Sequence, residues 1–170
     1  MPSWGELVAE TLRWIYRTPI QFSNHALSGQ DTEWGVSNVR RLVSEHRPDL
    51  VILAFGMNDG TKRLTPDAFQ SNIRAMMDDV RELNPQAEFI LVSPMLANPE
   101  SMFAGCQKEY REVLRCLTGA GVAMADMSSV HEQLLLRKSY QDLTGNNINH
   151  PNDFLIRWYA QQVTGLLVHL

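Results

Sequence analysis

The stretch LVILAFGMNDG, residues 50–60, decides the fold of this chain. Six apolar residues, Leu50 to Phe55, run without alternation into Gly56-Met57-Asn58-Asp59-Gly60. A short run with no polar face reads as a strand buried on both sides, as in a parallel sheet covered by helices. Phe89-Ile90-Leu91-Val92 and Val122-Ala123-Met124-Ala125 repeat the pattern, and Ile20-Gln21-Phe22-Ser23 alternates as a further short strand. Between them lie helical patterns over about 5–17, 32–46, 66–84, 102–117, 128–138 and 153–167. Thr65-Pro66-Asp67 is a helix start: a capping hydroxyl, a proline at the first position and an acid in the first turn. Strands alternating with helices predict an α/β protein with helices on both faces of a parallel sheet, in a single domain over 1–170. In such sheets ligands bind beyond the carboxyl ends of the strands. The loops 24–31, 56–64, 93–101 and 126–128 fall there, and the polar loop 139–151 joins them if it folds back.

The chain has 170 residues, 44% hydrophobic and 20% charged, which is a globular composition. A formal net charge of -4 without a basic cluster argues against nucleic acid as a partner. No apolar run approaches the roughly 20 residues that cross a bilayer, so no membrane partner is expected. The N-terminal residues lack the basic region and apolar stretch of a secretory signal, which favours a cytoplasmic location. Cys106 and Cys116 read as lying on one helix, roughly 15 Å apart, too far for a disulfide, and as buried apolar residues.

Three loops carry chemistry. Gly29 follows Ser28 after the first strand, Asn58 follows the central strand, and His150 precedes the last helix. Each has an ordinary explanation as turn residue or solvated side chain. The other histidines, His25, His46, His131 and His169, read as solvated. Together, a backbone N–H at Gly29, an amide at Asn58 and an imidazole at His150 supply oxyanion donors and a general base, the parts needed for acyl transfer. Met57 and Met95 are candidates for an acyl pocket, or core filler. Asp59 is a candidate for substrate contact, or an acid that bonds the backbone of its own loop.

In these positions the sequence resembles the SGNH/GDSL hydrolase superfamily. Asn24-His25-Ala26-Leu27-Ser28-Gly29 is similar to that family's second block, Gly56-Met57-Asn58-Asp59 to its third, and His150-Pro151-Asn152-Asp153 to its fifth. The likeness spans about residues 4–165. It implies a three-layer α/β/α, flavodoxin-like fold and hydrolysis of small acyl esters, such as acetyl esters of carbohydrates or simple alcohols, with no cofactor and no metal. Gly29 N–H and the Asn58 amide would hold the oxyanion, and His150 would move the nucleophile's proton. Loss of one such donor costs about 10²–10³ in rate.

Two positions depart from the family. Its nucleophilic serine stands in a Gly-Asp-Ser block ending the first strand, and this chain has no counterpart. Pro2-Ser3-Trp4-Gly5-Glu6-Leu7 resembles the segment just after that block, Ser3 reads as a helix cap, and Ser28 and Ser93 match no nucleophile block. The expectation is an N-terminally truncated domain without its first strand, inactive as it stands. The family also often has Asp three residues before the histidine, where this chain has Asn147. An amide oxygen can orient the imidazole but cannot offset its charge, and such a swap costs a serine protease about 10⁴ in turnover. That implies a dyad, with Asp142 and Asp153 as substitute acids, Asp153 reading more readily as a helix cap. A non-catalytic binding protein is the alternative reading, and an unrelated flavodoxin-like module is another, although no phosphate-binding glycine loop is present.

Overall fold

The computed structural model describes residues 3–168. Three strands, β1 (Leu50–Leu53), β2 (Glu88–Val92) and β3 (Val122–Ala125), form a parallel sheet in that order. Leu53 pairs with Leu91, and Leu91 with Met124, so the strand ends align at one edge. Side chains alternate across the sheet. Phe89 and Leu91 join Val51, Leu53 and Val122 in one apolar cluster, while Ile90 and Val92 join Ala125 in a second on the opposite face. β2 is therefore buried on both sides, as its unbroken apolar run predicts. Burying a side chain such as Leu91 contributes about 2 kcal/mol.

The first cluster is covered by α2 (Thr32–Leu42), α4 (Pro66–Leu83) and α5 (Tyr110–Cys116), with Phe69 stacked on Tyr110 at 4.0 Å. The second is covered by α1 (Trp4–Tyr16) and α8 (Asp153–Leu167), which contribute Val8, Leu12, Leu155 and Val163. The short helices α3 (Met57–Thr61), α6 (Met127–Leu135) and α7 (Tyr140–Leu143) lie in the connections. The three layers are those the sequence predicts. Local signals set the helix starts: Ser3 and Glu6 form a capping box on α1, and Thr65 Oγ1 accepts from Ala68 N–H at 3.3 Å.

Four expectations are corrected. Residues 20–23 form no strand. A strand needs a pairing partner, and here the chain is drawn to α1 instead. Arg13 donates to the Ile20 carbonyl at 2.6 and 2.9 Å, and Phe22 packs over Gly5. β1 is left as an edge strand, and Ala54 just beyond it is exposed. The predicted helix over 102–117 begins only with a 3₁₀ turn at Gln107–Glu109. Residues 101–106 dock on α3: a Cβ on Gly105 would lie 1.8 Å from the Gly60 carbonyl oxygen, and Cys106 N–H donates to that oxygen at 3.3 Å. Cys106 and Cys116 thus do not share a helix, and they are half-buried and exposed rather than buried. Finally, His131 is fully buried, not solvated. His169 lies outside the described residues.

Candidate active site

The Gly56-Met57-Asn58-Asp59-Gly60 segment is not a plain turn. It starts α3, capped by Gly56 at φ +114°. Only glycine adopts this conformation freely, and a Cβ there would also meet Pro94 at 2.9 Å. Asp59 is fully buried, which corrects the expectation that it touches substrate. Its carboxylate accepts from Gly56 N–H at 3.0 Å, from Thr32 N–H at 2.8 Å and from the Thr32 hydroxyl at 2.5 Å. It ties the first turn of α2 to the end of β1, the loop-shaping role that was its other reading.

Asn58 is thereby aimed at the 28–31 loop, and its Nδ2 donates to the Gln30 carbonyl at 2.7 Å. An amide nitrogen carries two hydrogens, so one remains for a ligand. The residue before Gln30 is Gly29, which is exposed, has φ +79°, and whose N–H makes no hydrogen bond among the described residues. Lys62 pairs with Asp31 at the far end of this loop. Burial pushes the Asp31 carboxyl up, but the Lys62 ammonium and the Trp34 N–H outweigh it and hold it below the usual carboxylate range.

A cleft of about 190 Å³ opens at the same sheet edge. Met57 and Met95 line it together with Trp4, Phe55 and Tyr159, and so do Asn149 and Pro151, the neighbours of His150. Tyr159 is rooted in the core, where burial pushes its phenol up, and its oxygen accepts from Met95 N–H at 3.1 Å. The loop 139–151 therefore does fold back over the active edge.

His150 itself is exposed, and its imidazole has no hydrogen-bond partner among the described residues. Asn147 does not orient it. That residue is exposed in the left-handed region at φ +59°, and its carbonyl, not its amide side chain, is what the structure holds. Asp142 caps α7 by accepting from Ser139, and Asp153 pairs with Arg157 at 3.1 Å, so neither serves as the substitute acid. The cap of α8 is Asn152, not Asp153. Ser3 Oγ caps α1, and Ser93 is fully buried with its hydroxyl accepting from Ser128 N–H at 2.9 Å. Ser28 is exposed beside Gly29.

Three residues around this edge escape a reading of the sequence. Asn146 Oδ1 accepts from the N–H groups of Ile148, Asn149 and His150, at 3.0, 3.0 and 3.1 Å. The asparagine-rich run Asn146-Asn147-Ile148-Asn149 is the available signal, since such side chains bond their own loop backbone. Asn98 reaches the same loop from the end of β2, and nothing in its sequence surroundings announces it. His131 Nδ1 accepts from Leu96 N–H at 3.1 Å, while its Nε2 is buried without a partner. Burial lowers its pKa from 6.5 to about 4, against a small opposing pull from Glu132.

A three-layer α/β/α fold with an amide after β1, a glycine in the loop that this amide bonds and a histidine before the last helix is the pattern of an SGNH-type hydrolase. Residues 1–154 match the sequence profile of the GDSL-like Lipase/Acylhydrolase family, and the chain belongs to that family. The thioesterase 1/protease 1/lysophospholipase L1 of Escherichia coli K12 is 24% identical over 98% of this chain and 76% of its own length. An arylesterase of Vibrio mimicus is 29% identical over 47% of this chain, a match that spans only 40% of the relative. The fold is also that of an acetylxylan esterase from Geobacillus stearothermophilus, with TM-score 0.84 and 16% identity over 99% of this chain and 82% of that one. A carbohydrate esterase family 3 structure from Talaromyces cellulolyticus superposes with TM-score 0.73 and 17% identity, over 98% and 89% of the two chains.

Proposed function

We propose that the active edge is a carboxylic ester site for small acyl groups, in which Gly29 N–H and Asn58 Nδ2–H receive the carbonyl oxygen and His150 is the base. We propose further that this chain, as it stands, binds such an ester without hydrolysing it. The observation that carries the first part is the Asn58–Gln30 bond, which ties the Asn58 amide to the loop carrying Gly29, next to Met57 in the wall of an apolar cleft. A cleft of about 190 Å³ suits an acetyl group and part of its alcohol better than a long chain. The resemblance in fold to carbohydrate-acetyl esterases points the same way.

In such a site a hydroxyl attacks the acyl carbon while His150 takes its proton. The new oxyanion sits between the two donors, and the proton then passes from His150 to the departing alkoxide. Water repeats the cycle on the acyl intermediate. The second part of the reading rests on the serines. Ser3 and Ser93 spend their hydroxyls on structural bonds, and no described serine is bonded to His150.

The test is hydrolysis of p-nitrophenyl acetate, with binding of an acetylated xylo-oligosaccharide followed by NMR. The expected result is no turnover above background, with saturable binding that Asn58→Ala weakens about tenfold. Turnover abolished by His150→Ala would contradict the inactivity. No binding at all would contradict the site.

A further inference from the structure

The geometry points to Asn98 as a positioning residue that clamps the His150 loop to the end of β2, an inference that rests on reading His150 as the base. Asn147, the residue the family pattern would have orient the imidazole, does not do so. The loop takes its place from another element.

Asn98 grips the loop with two donors. Its backbone N–H donates to the Ile148 carbonyl at 2.9 Å and its Nδ2 to the Asn147 carbonyl at 2.9 Å. Two consecutive carbonyls, the nearer two residues short of His150, are thus fixed by one side chain and its own backbone. On the other side of the loop, Asn146 Oδ1 gathers three N–H groups, His150 included. The loop between them has little freedom left, although it is exposed.

The clamp is worth having only if Asn98 is itself fixed, and the preceding residues are. Met95 N–H donates to Tyr159, Leu96 N–H to His131, and the Ala97 carbonyl accepts from Tyr140 at 3.0 Å. Three successive residues are therefore pinned by three different aromatic side chains from α8, α6 and α7. Tyr140 also meets the His131 ring edge-on at 5.5 Å between centroids. Asn98 Oδ1 then accepts from Glu100 N–H at 3.1 Å and the Asn98 carbonyl accepts from Ser101, which fixes the far side. The same strap carries Met95, which lines the cleft, so acyl pocket and His150 loop are held in register by one segment.

Two variants separate the clamp from the turn. Asn98→Asp deletes the donor to Asn147 and keeps the oxygen that accepts from Glu100. Asn98→Ala deletes both. Amide hydrogen exchange and the His150 imidazole resonances are followed by NMR on the whole chain. In both variants we expect the amide of residue 98 to exchange roughly tenfold faster and the His150 resonances to move, with protection in β1–β3 unchanged. An effect confined to Asn98→Ala assigns the residue to the turn and overturns the inference, as does no effect in either variant. Loss of protection throughout the sheet also overturns it, because the role would then be general stability. No ester enters this measurement. Failure of the wild type to bind an ester therefore contradicts the proposed function and leaves the clamp standing.

Discussion

Mild acidification should destabilise this protein through a buried side chain, His131. Its imidazole is fully buried, with Nδ1 accepting the Leu96 N–H, so only the neutral ring fits. Protonation would turn Nδ1 into a donor facing a donor and would bury a charge. The folded-state pKa of about 4 lies below the ordinary 6.5, so the unfolded chain takes up the proton first. Stability from this group is complete above pH 6.5, declines as pH falls from there, and is lost once pH drops through about 4. The full difference corresponds to roughly 3 kcal/mol at 1.36 kcal/mol per unit. At about pH 5 the folded ring is still neutral and the unfolded one charged, which makes the loss about 2 kcal/mol relative to about pH 7.5. Glu132 offers the ring some relief, and Tyr140 faces it with no charge. The assay is urea unfolding at those two pH values for the wild type and for His131→Gln, whose amide oxygen can still accept from Leu96 and does not titrate. The wild type should lose about 2 kcal/mol more than the variant. Equal losses in the two proteins, or an NMR titration of folded His131 near 6.5, would refute the reasoning.

Other perturbations probe the same geometry. Asp59→Ala leaves the buried N–H groups of Gly56 and Thr32 without acceptors and should cost about 3 kcal/mol or more in thermal or urea unfolding. Asp59→Asn, which keeps one acceptor oxygen, should cost less. Gly56→Ala sets a Cβ on a residue at φ +114° and against Pro94, and a loss of about 2 kcal/mol or more is expected by urea titration. Phe69→Ala opens a cavity beside Tyr110 in the layer covering β2 and should cost about 3–5 kcal/mol without altering the active edge.

The parts of the fold legible in the sequence are those with local causes. The strands near 50, 89 and 122 are uninterrupted apolar runs, and the starts of α1 and α4 carry their own caps at Ser3 and Thr65. Where tertiary contact decides, sequence pattern fails. Ile20 and Phe22 alternate like a strand, yet Arg13 and Gly5 hold them against α1. Residues 102–106 look helical, yet the Gly105 backbone is pressed onto Gly60. His131 reads as solvated because nothing in its neighbours signals that α6 turns it inward. For the candidate site, Asn58, Gly29 and the His150 loop can be proposed because a turn glycine, an amide after a strand and a histidine before a helix occur at spaced, recognisable positions. The groups that place them are not legible. Asp59, Asn98 and Asn146 act through bonds to backbone groups, and Asp59 reaches across 27 residues to Thr32. Such bonds leave no periodicity.

In the proposed site, Gly29 N–H and the free hydrogen of Asn58 Nδ2 hold one oxyanion. The most direct test is an NMR titration of the wild-type chain with a small acetyl ester, watching the Gly29 amide and the Asn58 side-chain amide. Both signals should shift with one common dissociation constant, and Asn58→Ala should remove the shift at Gly29. Ester binding that moves neither resonance, or that moves them with different dissociation constants, would contradict the account.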